Sequence, residues 1–184
     1  MSNAAKLRKK AAELEQQKQY DKAVQSYKRA LEESQREGEE PDVQLYNRIG
    51  DLLIRQGGVA EAVTYLEKAV ELYTGAELYN NAIALCNKIL RHTPGRSAIY
   101  HTLGRICARK GLKGDATRNF IEYASRMQQA GRTDEALTAL VEFADLLPEH
   151  TELRGLLDQH LARIGHTGGA RADDAASGGA PGSL

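Results

Sequence analysis

The chain has 184 residues, 41% hydrophobic and 27% charged, with a formal net charge of zero. That is enough for one continuous core at an ordinary globular composition, and a zero balance excludes the global field that would draw nucleic acid or an acidic membrane surface. Two cysteines, Cys86 and Cys107, are too few for a disulfide framework, and no run approaches the roughly 18 apolar residues of a membrane span.

The N-terminal Lys6-Leu7-Arg8-Lys9-Lys10 is basic, but no apolar stretch follows it. It does not read as a secretory signal. The expected location is therefore cytoplasmic, with both thiols reduced.

Taken in chain order, apolar residues recur at helical spacing almost throughout, and Gly or Pro separates the runs. The pattern predicts nine helices, at 3–17, 20–36, 43–56, 59–74, 77–92, 97–110, 114–130, 133–147 and 151–164. Leu45, Ile49, Leu52 and Leu53 share one face, and Ile99, Leu103, Ile106 and Cys107 repeat it. Alternating β-branched runs are absent, and aromatics make up only 5%. Residues 165–184 are rich in Gly, Ala, Ser and Asp. Such a tail buries too little to offset its ordering entropy and is expected to be disordered.

The segment from Tyr46 to Pro94 aligns without a gap on that from Tyr100 to Pro148, a shift of 54 residues. Identical pairs are Tyr46/Tyr100, Gly50/Gly104, Arg55/Arg109, Gly57/Gly111, Ala62/Ala116, Ala76/Ala130, Ala82/Ala136 and Pro94/Pro148. An ungapped repeat is one supersecondary unit built twice. Such units bury their apolar faces by stacking into a solenoid.

Within the repeat, Tyr100-x2-Leu103-Gly104-x2-Cys107 leads to Ala116-x3-Phe120, and Tyr46-x2-Ile49-Gly50-x2-Leu53 leads to Ala62-x3-Leu66. Second-helix halves recur as Ala23-x3-Tyr27, Ala82-x3-Cys86 with Pro94, and Ala136-x3-Leu140 with Pro148. In this order of landmarks, residues 5–148 resemble the tetratricopeptide repeat family. The resemblance implies an all-α solenoid of antiparallel helices. Gly in mid-helix costs roughly 1 kcal/mol relative to Ala, which makes sense where a neighbouring helix approaches closely; the alanines are expected at the same contact.

The Ala-x3 landmarks are spaced 39, 20, 34 and 20 residues apart, against a family period of about 34. A spacing of 20 has room for one helix. The helices at 59–74 and 114–130 should each close one hairpin and open the next. The expected organisation is a solenoid over 1–164, with units 3–36, 43–92 and 97–147, a capping helix at 151–164, and the tail 165–184.

The resemblance also implies that inner-helix side chains turned from the core line a concave groove. Those slots are Asn47, Asp51 and Arg55, then His101, Arg105 and Arg109, each set at i, i+4, i+8 and hence one stripe. Arg48 lies beside the first stripe, and Arg8 is placed to extend it. Arginine forks grip carboxylates or phosphates in pairs. The expected partner is therefore a protein segment, acidic in character, bound by a non-enzymatic scaffold or adaptor.

Two other functions compete. One is an assembly module whose helix faces pair with another copy or a larger complex. The other is nucleic-acid binding through residues 88–118, where eight Lys/Arg face one acid, a local balance of +7. That run lacks aromatic interleaving beyond Tyr100. The five histidines form no HExxH, and no Cys-x2-Cys occurs, so neither a metal nor another cofactor is expected. Gly111-Leu112-Lys113-Gly114-Asp115 lacks the spacing and the preceding strand of a phosphate loop. It reads as a helix–helix turn. No nucleophile elbow or paired acids stand out, so no catalysis is expected.

Overall fold

The structure is a computed structural model, and it describes residues 2–149 together with Thr151, Gly155, Asp158, Gln159 and Ala162. The described residues contain eight helices and no strand. They are α1 (Asn3–Gln16), α2 (Tyr20–Arg36), α3 (Val43–Arg55), α4 (Val59–Gly75), α5 (Tyr79–His92), α6 (Ser97–Lys110), α7 (Lys113–Gln129) and α8 (Thr133–Leu146). Each begins and ends within about two residues of its expected bounds. The five described positions after 150 are helical and exposed. The leucines expected to face inward from a ninth helix, Leu153, Leu156, Leu157 and Leu161, lie outside the described residues, as does the tail 165–184.

Each helix is short and depends on packing one apolar face. Asp42 caps α3, its carboxylate accepting from the Leu45 N–H at 3.1 Å. Leu45, Ile49, Leu52 and Leu53 are then buried on that helix, and Ile99, Leu103, Ile106 and Cys107 on α6. Consecutive helices form the main contacts. The packing of α3 on α4, α4 on α5, α6 on α7 and α7 on α8 is more extensive than that of α2 on α3 or α5 on α6. Three apolar clusters result and run the length of the array.

Several of the tight turns between helices carry one residue with positive φ. Gly57, Gly111 and Gly131 supply it at 81°, 83° and 73°, but Glu77 does so at 58°. Glu77 is the repeat counterpart of Gly131. A left-handed conformation costs a non-glycine residue roughly 1–2 kcal/mol, part of which glycine loses again to unfolded-state entropy. Glu77→Gly is therefore expected to stabilise by about 0.5–1 kcal/mol, raising Tm in a thermal melt by about 1–4 °C.

The mid-helix glycines do sit at close helix contacts, and the nearest atoms there belong to the residue four positions after each alanine. A Cβ at Gly50 would lie 2.6 Å from Leu66 Cδ2, with Ala62 offering only its carbonyl oxygen at 3.5 Å. One at Gly104 would overlap the edge of the Phe120 ring. A helical side chain leans toward the N-terminus and covers the turn before its own Cα. The residue four positions after each alanine therefore fills the space above the glycine.

Candidate interaction cleft

The two polar stripes are placed by the amphipathicity of α3 and α6. Their apolar faces are buried, and the stripes run along the flank. In the first stripe, Asn47 and Asp51 both accept from Lys88 Nζ of α5, at 3.0 and 2.8 Å. In the second, His101 Nε2 and Arg105 Nε meet the two oxygens of Glu142 on α8, at 3.1 and 3.2 Å. The His101 ring is also set against Tyr123 and Phe143, with centroids 5.0 and 5.7 Å away.

Lys88 and Glu142 are 54 residues apart, so they are repeat counterparts. Both units therefore strap their first helix to their third at the same place, with the charges reversed on both ends. Sequence reading missed Lys88 and Glu142 as partners. The compensating reversal, Asn47/Asp51 with Lys88 against His101/Arg105 with Glu142, was the available signal.

Arg48 turns the other way. Its Nε donates to Glu15 Oε2 of α1 at 3.0 Å, and its Nη2 meets the other oxygen. The Tyr27 hydroxyl donates to the same carboxylate at 3.2 Å. Burial, then Glu15, hold the Tyr27 phenol above its ordinary range. Arg8 does not extend the stripe: it meets Ser34, Glu39 and Asp42 and fastens α1 to the segment before α3.

The identical arginines differ in their surroundings. Arg55 lies over the Tyr20 ring at 4.3 Å, a packing contact with α2. Arg109 is exposed and has no ion pair, hydrogen bond or ring partner among the described residues. With His101, Thr102, Arg105 and Ile106 it lines an open cleft of about 350 Å³. Val70, Glu71, Thr74 and Gly75 of α4 form the other wall. The cleft thus has two guanidiniums on one side and the buried apolar residues Val70 and Ile106 beneath. It can hold a carboxylate on a chain with apolar neighbours. The α4 residues were not foreseen, because α4 and α6 meet only through the stacking of one unit on the next.

The basic run 88–118 is largely neutralised. Lys88 meets Asp51, Arg96 meets Glu67 at 2.6 and 2.8 Å, and Arg105 meets Glu142. Lys113 meets Glu149 at 2.6 Å, and Arg118 meets Asp115 at 3.4 Å. A phosphate backbone would find few free cations there. Burial pushes the Cys86 thiol up to about 12, with Cys107 adding to the effect, so it behaves as a small core residue. Among the described residues no group of His, Cys, Asp and Glu could hold a metal ion, and no helix is long and apolar enough to cross a membrane.

A family model described as tetratricopeptide repeat matches residues 2–75, which covers α1 to α4. No curated protein matches the chain. Solved structures similar to it include a tetratricopeptide repeat protein from Parabacteroides merdae, 19% identical, covering 92% of this chain and 77% of that one, with a TM-score of 0.32. A thermophilic protein of the same repeat class from Thermus thermophilus is 16% identical, with 86% and 99% covered and a TM-score of 0.32. PilW, a type IV pilus biogenesis factor, is 20% identical, with 84% and 83% covered and a TM-score of 0.33. Residues 2–75 thus match the tetratricopeptide repeat family, and the landmarks of the two 54-residue repeats follow the order of that family's pattern.

Proposed function

We propose that this protein is a non-catalytic interaction scaffold that receives an acidic segment of a partner protein in the cleft between α4 and α6. The observation that carries the reading is the pairing of Arg105 and Arg109 on one wall of an apolar-floored cleft. Arg109 is exposed and has no partner among the described residues, so none of those competes with a ligand for its N–H donors. His101 stands one turn before Arg105 and belongs to the same surface. The first stripe supports the reading less. Asn47 and Asp51 are engaged by Lys88, Arg48 by Glu15 and Arg55 by Tyr20. Cytoplasmic residence is part of the same proposal and rests on two buried cysteines that form no disulfide.

The test is the double reversal Arg105→Glu with Arg109→Glu in the full chain. Both side chains are exposed, so folding should change by no more than about 0.5–1 kcal/mol. Capture of a specific partner should fall by at least about tenfold, because opposing carboxylates would then face each other. Circular dichroism checks the fold. Undiminished capture by a folded double mutant would move the binding surface away from this cleft. A wild-type mass in solution above that of one chain would favour the assembly-module reading.

A further inference from the structure

Two carboxylates already border the cation strip. Glu142 spans His101 and Arg105, and Glu71 stands on the α4 wall, held by Lys68 at 2.6 Å. Imidazole aside, Arg105, Arg109 and Lys68 stand against Glu71 and Glu142, so the cleft carries little net positive charge. Arg105 commits its Nε to Glu142, which, among the described residues, leaves its terminal nitrogens and all of Arg109 for an incoming group. The two hydroxyls in the lining add no donor. Thr74 Oγ1 donates to the Val70 carbonyl at 2.7 Å and Thr102 Oγ1 to that of Ala98 at 3.1 Å. One carboxylate can be satisfied here. A second on the same segment would meet Glu142, whose contacts with His101 and Arg105 it would have to compete against, or Glu71, whose charge Lys68 already takes up.

We propose that Glu142 is a specificity-determining residue: it restricts the cleft to a segment that presents one carboxylate among uncharged and apolar neighbours, and it turns away runs of acidic residues. The proposal rests on the reading of the cleft as a peptide site. Val70 and Ile106, buried at 3% and 1% exposure under the strip, give the apolar neighbours a place to pack. Glu142 does two things at once. It orients His101 and Arg105, and it places a negative charge beside any ligand they bind. Glu142→Gln separates the two, because the amide oxygen can still face Arg105 Nε while the amide NH2 donates to Nε2 of a neutral His101, and the charge is gone.

The experiment uses the full chain and two capped heptapeptides. One has a single central glutamate flanked by leucine and serine, and the other has four consecutive glutamates. Binding is read from amide chemical shifts of α4 and α6. Wild type should bind the single-acid peptide more tightly. Glu142→Gln should improve the four-acid peptide by at least about fivefold and the single-acid peptide by less, removing a like-charge juxtaposition. An unchanged ratio in Glu142→Gln, with both peptides lost in Arg105→Glu/Arg109→Glu, would overturn the proposal and leave the peptide-site reading standing. Weaker binding of both peptides in Glu142→Ala with no change in Glu142→Gln would make Glu142 a positioning residue only, which also overturns it. If neither peptide moves any α4 or α6 resonance in wild type or in Glu142→Gln, the peptide-site reading fails and the proposal falls with it.

Discussion

Replacing Gly104 by alanine is expected to destabilise the protein by about 1–3 kcal/mol, although alanine is the better helix former by roughly 1 kcal/mol. The new methyl group would overlap the edge of the Phe120 ring. Phe120 cannot step aside cheaply, because it is fully buried in the cluster that joins α6, α7 and α8. Gly50→Ala should cost less. Its nearest neighbours are the outer carbons of Leu66, at 2.6 and 2.7 Å, and a leucine side chain can shift by a rotamer or a small rotation. The net loss should lower Tm by about 2–12 °C for Gly104→Ala. Adding Phe120→Leu, which copies the first unit, should restore part of that loss. A melting temperature that rises in Gly104→Ala would show that the glycine contact is not tight.

The array was legible from residues because both of its signals are local. The period-3.6 apolar faces mark the helices, and Gly57, Gly111 and Gly131 punctuate them. The mid-helix Gly50 and Gly104 also announced a close contact, since a costly residue needs a reason. The site was legible only in part. Helical spacing placed His101, Arg105 and Arg109 on one stripe, and the structure puts all three on one cleft. What spacing cannot supply is the partner of each side chain, which depends on the helix that crosses above. Arg55 and Arg109 are the same residue at the same repeat position. Yet Arg55 lies on Tyr20 of α2, while Arg109 is exposed on the open cleft walled by α4. The local +7 misleads for the same reason. Glu67, Glu142 and Glu149 are 29, 37 and 36 residues from Arg96, Arg105 and Lys113, and only folding brings them together.

Phe143→Ala is expected to have the largest effect on the fold, a loss of about 3–5 kcal/mol, or roughly 6–20 °C in Tm. Phe143 is fully buried in the cluster that joins α6, α7 and α8. In an array where each element touches mainly its neighbours, the damage should stay local. Hydrogen exchange should quicken in α6 to α8 while α1 to α3 keep their protection, and uniform loss across the chain would show one cooperative core instead. The residue also ties the fold to the cleft. Glu142 precedes Phe143 on α8, and the His101 ring sits 5.7 Å from the Phe143 ring. Loosening α8 therefore withdraws the carboxylate that orients His101 and Arg105. Glu142→Gln removes the same charge at a cost within about 0.5–1 kcal/mol, since the contact is at the surface. The two variants pull stability and ligand preference apart. If Phe143→Ala keeps wild-type preference between the single-acid and four-acid peptides in the fraction that remains folded, Glu142 is held in place by α8 independently of this core. If the preference shifts as in Glu142→Gln, the aromatic cluster is what holds the specificity residue over the cleft.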